Sequence, residues 1–280
     1  MNRLSWLSRL TLAALFLIAN TSNAMAQTLP VRVTAVGNIA TVEVGTAESP
    51  LAEVSITFDD ASGLSPAALG VSAELVSLDD PLLLARLPDP LHTQLDSALP
   101  LMITIEPPAL GGLVFNRTAR VEVHTHALVY AAGSSYRLLK APLNGAFRDI
   151  TDDVAPGSVR ARGTTGGFSQ FLVVADVRSS STVIDEKTGW LRARIATLPA
   201  TERTSFNAQL DAVEAAVASG AYADAIAAVD SLRAHASARA GNGLTQTWRA
   251  TRDGDNQAGD IMAGAATLRF SVAFLRDYGE

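Results

Sequence analysis

Near residue 180 the spacing of apolar residues changes from every second position to about every 3.6, which limits what each side can fold into. A period of two places alternate side chains on opposite faces of a strand, whereas 3.6 lays a stripe along one face of a helix. From about 28 to 178 the chain runs in short alternating stretches separated by Gly, Pro and Asp clusters. These are "LPVRVTAVG", "IATVEVG", "AEVSITF", "GVSAELVSL", "LMITIEP", "RVEVHTHALVY", "YRLLKAP", "SVRARG" and "FSQFLVVAD". Strands at this spacing, with no helical run between them, predict an antiparallel β-sandwich of immunoglobulin-like build. Gly37 and Asn38 mark a tight hairpin between the first two runs. Ser65 and Pro66 suit the cap and first position of one short helix.

The second half predicts helices. Phe206, Leu210, Val213 and Val217 form one stripe; Tyr222, Ile226, Val229 and Leu232 form another after a stop at Gly220. Ile261, Ala265, Leu268, Val272 and Leu275 form a third, and Pro199 separates an earlier helix, about 184–197, from one beginning near Thr201. The expected plan is a β-sandwich over 27–178 followed by an antiparallel bundle of three or four helices over 183–280.

The first 26 residues have the layout of a signal peptide. Arg3 and Arg9 precede an apolar run from Leu10 to Ala19, and Ala24 and Ala26 form an A-x-A exit. Cleavage after Ala26 is the expectation. No later segment offers about 18 consecutive apolar residues, so no membrane span is expected in the mature chain. The chain has no cysteine, so an exported protein of this sequence relies on buried apolar area rather than disulfides. Loss of Arg3 and Arg9 leaves 20 basic against 28 acidic residues, net −8. That balance argues against nucleic acid or anionic lipid as the main partner. Arginine outnumbers lysine 20 to 2 and alanine is abundant, a bias of GC-rich bacterial genomes, so the expected location is periplasmic or secreted.

The run "LPLMITIEPPALGGLVF", with "VEVHTHALVY", "YRLLKAPLNGAFRDIT", "GSVRARGTTGGFSQFLVVAD" and "TWRATRDGDNQAGDIMAGAATLRFSV", resembles a family of uncharacterised secreted proteins of gammaproteobacteria. The resemblance implies the two-part plan and export, and no activity. The β half also resembles the ZU-type sandwich domains of ankyrins and netrin receptors. Some of these cleave themselves at a His-Phe-Ser step. Here the matching residues are Gly167-Phe168-Ser169, so the histidine base is missing and the chain is expected to stay intact.

Four groups of residues carry candidate chemistry. "GFSQF" is a near miss of the G-x-S-x-G elbow, with Phe171 in place of the second glycine, and Ser169 adjoins an apolar strand instead of a strand-to-helix turn. "FRDITDDV" offers Asp149, Asp152 and Asp153 as oxygen ligands for calcium; a turn with a local Asx bond is the favoured reading. "RDGDNQAGD" offers Asp253, Asp255 and Asn256. Its glycine is misplaced and Gly264 occupies the twelfth position, so it is no EF-hand, and capping of the last helix is expected. Trp190 and Trp248 are expected to cover the ends of the bundle.

The fourth group is Glu122, His124 and His126, which share one face of a strand. Two imidazoles and a carboxylate suit zinc or copper. The alternate residues Val121, Val123, Thr125, Ala127 and Val129 are the pattern of a half-buried sandwich strand, whose outer face is polar anyway. Convergence of His124 and His126 with an aspartate such as Asp149 would favour an enzyme. The expectation is therefore an exported, non-enzymatic envelope or secreted protein without a cofactor, acting by binding an envelope protein or glycan or as a structural module. The alternative is an exported metal-dependent or serine hydrolase.

Overall fold

The computed structural model describes residues 27–279. The expected signal peptide, residues 1–26, lies outside them. β1 (Gln27–Leu29) and β2 (Val31–Val36) are one extended run divided at Pro30, and β3 (Ile39–Thr46) and β4 (Ser49–Ser62) follow as hairpins. Val36 pairs with Ile39, which makes the β2–β3 turn two residues long, with Gly37 at φ +58°. Next come α1 (Pro66–Leu69), β5 (Val71–Leu75), α2 (Pro81–Leu84), β6 (Thr93–Gln94) and β7 (Leu101–Ile105). Ser65 caps α1 as expected, accepting from the Ala68 amide at 3.2 Å. β8 (Val114–Val129), β9 (Tyr136–Ala141), β10 (Arg148–Asp149), β11 (Thr151–Ala155), β12 (Ser158–Thr165) and β13 (Gln170–Asp176) complete the first half. The second half holds α3 (Ser180–Ala196), α4 (Ala200–Ala218), α5 (Tyr222–Arg239), β14 (Thr247–Arg249) and α6 (Gln257–Tyr278).

The strands form two antiparallel, seven-stranded sheets. One has the order β1-β5-β7-β13-β9-β10, with β6 beside β13; the other has β11-β12-β8-β4-β3-β2, with β14 beside β8. Inward residues of both sheets, among them Val54, Ile56, Phe115, Val121, Leu138 and Phe171, make the main core. Four helices, α3 to α6, pack around a second core containing Leu191, Phe206, Leu210, Val229 and Leu268. Leu83 and Leu87 cover the outer face of the first sheet, against Leu139, Leu172 and Phe147. Among the described residues α6 is long and apolar enough to cross a membrane, but most of it is buried within the protein.

Both edges of the sandwich are turned by a chain that changes sheets. At one, β1 and β2 belong to different sheets, on either side of Pro30. At the other, β10 and β11 do the same on either side of Ile150, which is fully buried. The sequence favours a turn over residues 149–153. The Asx bond is there, from the Thr151 amide to Asp149 Oδ1 at 2.7 Å, but it lies within a strand that passes between sheets. β10 has only two residues before the bend, too few for alternation to be visible across it.

Three other expectations need correction. Residues 183–280 are not helical throughout, because β14 adds a strand to the second sheet. Trp248, on β14, does not cover a bundle end: it lies in the sandwich core, stacked on Phe115 with ring centroids 5.1 Å apart. In β8 the alternation breaks after Thr125, where the register against β12 shifts. Thr125 Oγ1 accepts from the Ala127 amide at 3.0 Å, and this local bond sets the bulge. Leu128 then points inward, while Ala127 and Val129 are exposed.

The helices meet the sandwich through polar groups as well as apolar ones. Lys187 on α3 forms a 2.6 Å ion pair with Asp149 on β10 and donates to Ser271 Oγ on α6 at 2.8 Å. Arg178 pairs with Asp176 at 2.7 Å and with Glu186 at 2.5 Å. Asn256 caps α6, accepting from the Gly259 amide at 3.0 Å as expected, and donates to the carbonyls of Arg117 and Gly166.

Candidate functional site

The residues that sequence reasoning placed together stay together on the outer face of β8, but their chemistry is committed elsewhere. Arg160 and Arg162, on the neighbouring β12, both donate to the Glu122 carboxylate, Arg160 at 2.7 Å. Burial pushes the Glu122 carboxyl up, and the two guanidiniums outweigh it and hold it below the usual range. The rings of His124 and His126 lie 4.9 Å apart, and His124 Nε2 meets Ser158 Oγ at 2.5 Å. Burial and the charge of Arg160 push the His124 imidazole below its ordinary value. Asp149 does not join them; it faces Lys187. Among the described residues no three His, Cys, Asp or Glu side chains are grouped as a metal cluster. Asp152 and Asp153 pair with Arg120 and Arg162, and Asp255 pairs with Arg194.

A different place gathers a guanidinium outside any ion pair and a hydroxyl without a hydrogen bond among the described residues. Where the sandwich meets α3 and α6, a cleft of about 490 Å³ is lined by Glu106, Lys140, Leu143, Arg148, Ser169 and Trp190, with Phe168, Arg252 and Asp260. Register builds its centre. Lys140 on β9 and Arg148 on β10 are directly opposed, so the two cations stand on one face of the sheet. That face is the inner one, since Leu138 two residues before Lys140 lies in the main core. Lys140 therefore reaches between the sheets, where its ammonium donates to Thr165 Oγ1 at 2.6 Å and to the Gly167 carbonyl. Burial, reinforced by Arg148, pushes this ammonium down to about 7.

The neighbouring charges are already matched. Glu106 pairs with Arg252 at 2.9 Å, and Asp260 with Arg194 at 3.0 Å. Arg148 makes no hydrogen bond or ion pair among the described residues; its guanidinium lies 4.0 Å from the centre of the Trp190 ring. Ser169 is 4 % exposed and its hydroxyl has no hydrogen-bond partner among the described residues. A side chain on Gly167 would meet the Trp248 indole, since a Cβ there would stand 2.8 Å from its Nε1. The backbone approaches the tryptophan too closely for any residue but glycine.

The signal for this cleft was faint. Lys140 is one of only two lysines in the chain and shares its phase of the strand "YRLLKAP" with the apolar Leu138. Its partner Arg148 could not be placed, because the strand holding it is two residues long.

A family of unknown function, DUF6689, matches residues 12–276. The chain belongs to that family. No curated protein and no solved structure matches the chain. Membership thus spans both the sandwich and the helices, in accord with a resemblance that ran through both halves.

Proposed function

We propose that this DUF6689 protein is an exported, non-enzymatic protein of the bacterial envelope or exterior that acts by binding a small ligand in the junction cleft. The observation that carries this reading is the coexistence, in one concave site, of an aromatic wall, two cations that make no ion pair among the described residues and a buried hydroxyl without a hydrogen-bond partner among them. Small-molecule sites combine these: apolar walls with a few converging polar groups. The N-terminal layout supports export, with the signal removed after Ala26 into the periplasm or beyond, and the resemblance supports a gammaproteobacterial source. On this reading the sheets form an immunoglobulin-like, ZU-like sandwich and the four helices an antiparallel bundle. Together they serve as a rigid frame for the cleft.

Native mass spectrometry of protein isolated from its own envelope or medium tests both parts. The expected protein mass begins at Gln27, and a small molecule is expected to leave it chemically unchanged on denaturation. A chain that keeps residues 1–26, or a ligand that is converted while bound, overturns the proposal.

A serine hydrolase is the second reading, because Ser169 and Lys140 line the same cleft. The arrangement supports binding over acyl transfer. Both contacts of Lys140 Nζ go to Thr165 and Gly167, and neither activates Ser169 Oγ. Fluorophosphonate is expected to leave Ser169 unlabelled; labelling that disappears in Ser169→Ala would establish the hydrolase. The metal-dependent alternative rests on His124 and His126, and heat on titration with micromolar zinc would support it.

A further inference from the structure

Resting on the cleft-binding reading, we infer that the ligand is a small organic anion. Its carboxylate or phosphate group sits between Lys140 and Arg148 with Ser169 as a further donor, and its carbon body lies against Trp190 and Leu143. Cross-strand register sets two positive side chains opposite each other, an arrangement that destabilises a sheet unless an anion lies between them. The carboxylates at the rim, Asp260 and Glu106, are ion-paired to Arg194 and Arg252; Asp260 acts on both cations and Glu106 on Lys140 only at longer range, with no ion pair to either. The cationic pair is also local: the chain as a whole carries a net charge of −6, so this is no basic surface of the nucleic-acid-binding kind.

Geometry sets the class of ligand. An arginine with no engaged N–H can grip two oxygens of one carboxylate or phosphate. A buried hydroxyl lacking a partner costs free energy until a ligand oxygen or a water meets it. Pro142, Leu143, Phe168 and Trp190 add apolar surface to the lining of the cleft. The site thus suits an anionic group carried on a ring or short hydrocarbon body, small enough for a cleft of about 490 Å³. An inorganic anion would leave that wall uncovered.

Binding is linked to the charge on Lys140. Arg148 and Arg252 disfavour its protonated form, while Asp260 and Glu106 favour it, and burial tips the balance downward. An anion beside the amine raises its pKa, so binding takes up a proton near neutral pH. Affinity is full where Lys140 is already charged, below about 7, and falls as the pH rises through that value.

Calorimetric titration of the purified protein with benzoate, phenyl phosphate and uncharged benzamide tests the inference. Benzoate or phenyl phosphate is expected to bind and benzamide to bind far more weakly; whichever anion is preferred identifies the group as carboxylate or phosphate. Benzoate affinity should drop by about tenfold between about pH 6 and about pH 8. Lys140→Met and Arg148→Gln should each weaken the preferred anion by more than about tenfold. Arg32→Gln, on the far side of the second sheet, should leave it unchanged. Circular dichroism establishes that the variants are folded, and the pH dependence needs no variant at all. Lys140→Arg should keep binding and lose its pH dependence. The inference is overturned if benzamide binds as well as the anions, if neither anion binds, or if anion binding survives both substitutions. If the anions fail while protein from its native source still carries a neutral ligand, the anion inference falls and the binding reading stands.

Discussion

Replacing Asp149 with alanine is expected to destabilise the protein by about 3–5 kcal/mol, because it leaves a charged lysine buried without its partner. Lys187 is 6 % exposed, and its remaining contacts are the Thr267 carbonyl and the Ser271 hydroxyl, neither of which carries charge. Arg137, 7 % exposed, adds a second positive charge to the same region. The double variant Asp149→Leu with Lys187→Met should recover most of the loss, since removing both ions also removes the cost of burying them. Urea unfolding of the single and double variants gives the comparison; a single variant within about 1 kcal/mol of the parent would show that water reaches the pair. The pair also predicts acid sensitivity. Burial pushes the Asp149 carboxyl up, yet Lys187 and Arg137 outweigh burial and hold it below the usual carboxylate range. A carboxyl depressed in the folded state contributes stability above its unfolded value of about 3.9, and that contribution is lost as the pH falls further. Asp149→Leu with Lys187→Met should therefore lose less stability than the parent when acidified below about pH 4.

Strong, long patterns in the sequence carried through, and short or interrupted ones did not. The strands "IATVEVG" and "AEVSITF" and the helical stripes on α4, α5 and α6 had enough repeats for periodicity to decide them, while "FLVVAD" showed as a continuous apolar run buried on both faces. Residues 148–155 failed because a strand that changes sheets inverts the meaning of inside and outside at Ile150. β14 failed because three residues among helices have no period, so Trp248 read as a cover for the bundle and not as a core residue of the sandwich. Within β8, the phase was right as far as Thr125 and wrong beyond the bulge. The functional site follows the same logic. Glu122, His124 and His126 were visible because they are adjacent in sequence, and the arginines that take Glu122 came from a different strand. Lys140, Arg148, Ser169 and Trp190 come from four elements or their edges, and only the tertiary register brings them into one cleft.

Trp248→Ala is expected to cost about 3–5 kcal/mol, and to do so in the half of the molecule that its sequence position does not suggest. The indole is 6 % exposed, stacks on Phe115, meets Phe168 edge-on at 5.5 Å and carries Arg252 4.5 Å from its ring centre. Removing it leaves a cavity among three phenylalanines, since Phe58 closes the same cluster against Phe115 and Phe168 at 5.4 and 5.6 Å. The space cannot collapse easily, because Phe115 is held on β8 and Phe168 in the short connection by which the chain crosses from β12 in one sheet to β13 in the other. Trp248→Phe keeps most of the filling and should cost less. The same residue argues that the two halves stabilise each other. A chain ended at Val177 would lose Trp248, β14 and Lys187 together, exposing the phenylalanine cluster and leaving Asp149 without its lysine. The whole protein is thus expected to unfold in one transition followed identically by strand and helix signals, and the shortened chain to unfold at clearly lower urea. A shortened chain as stable as the whole would mean that the sandwich closes its core without the tryptophan, and that the helices are held against it by weaker forces than a shared core.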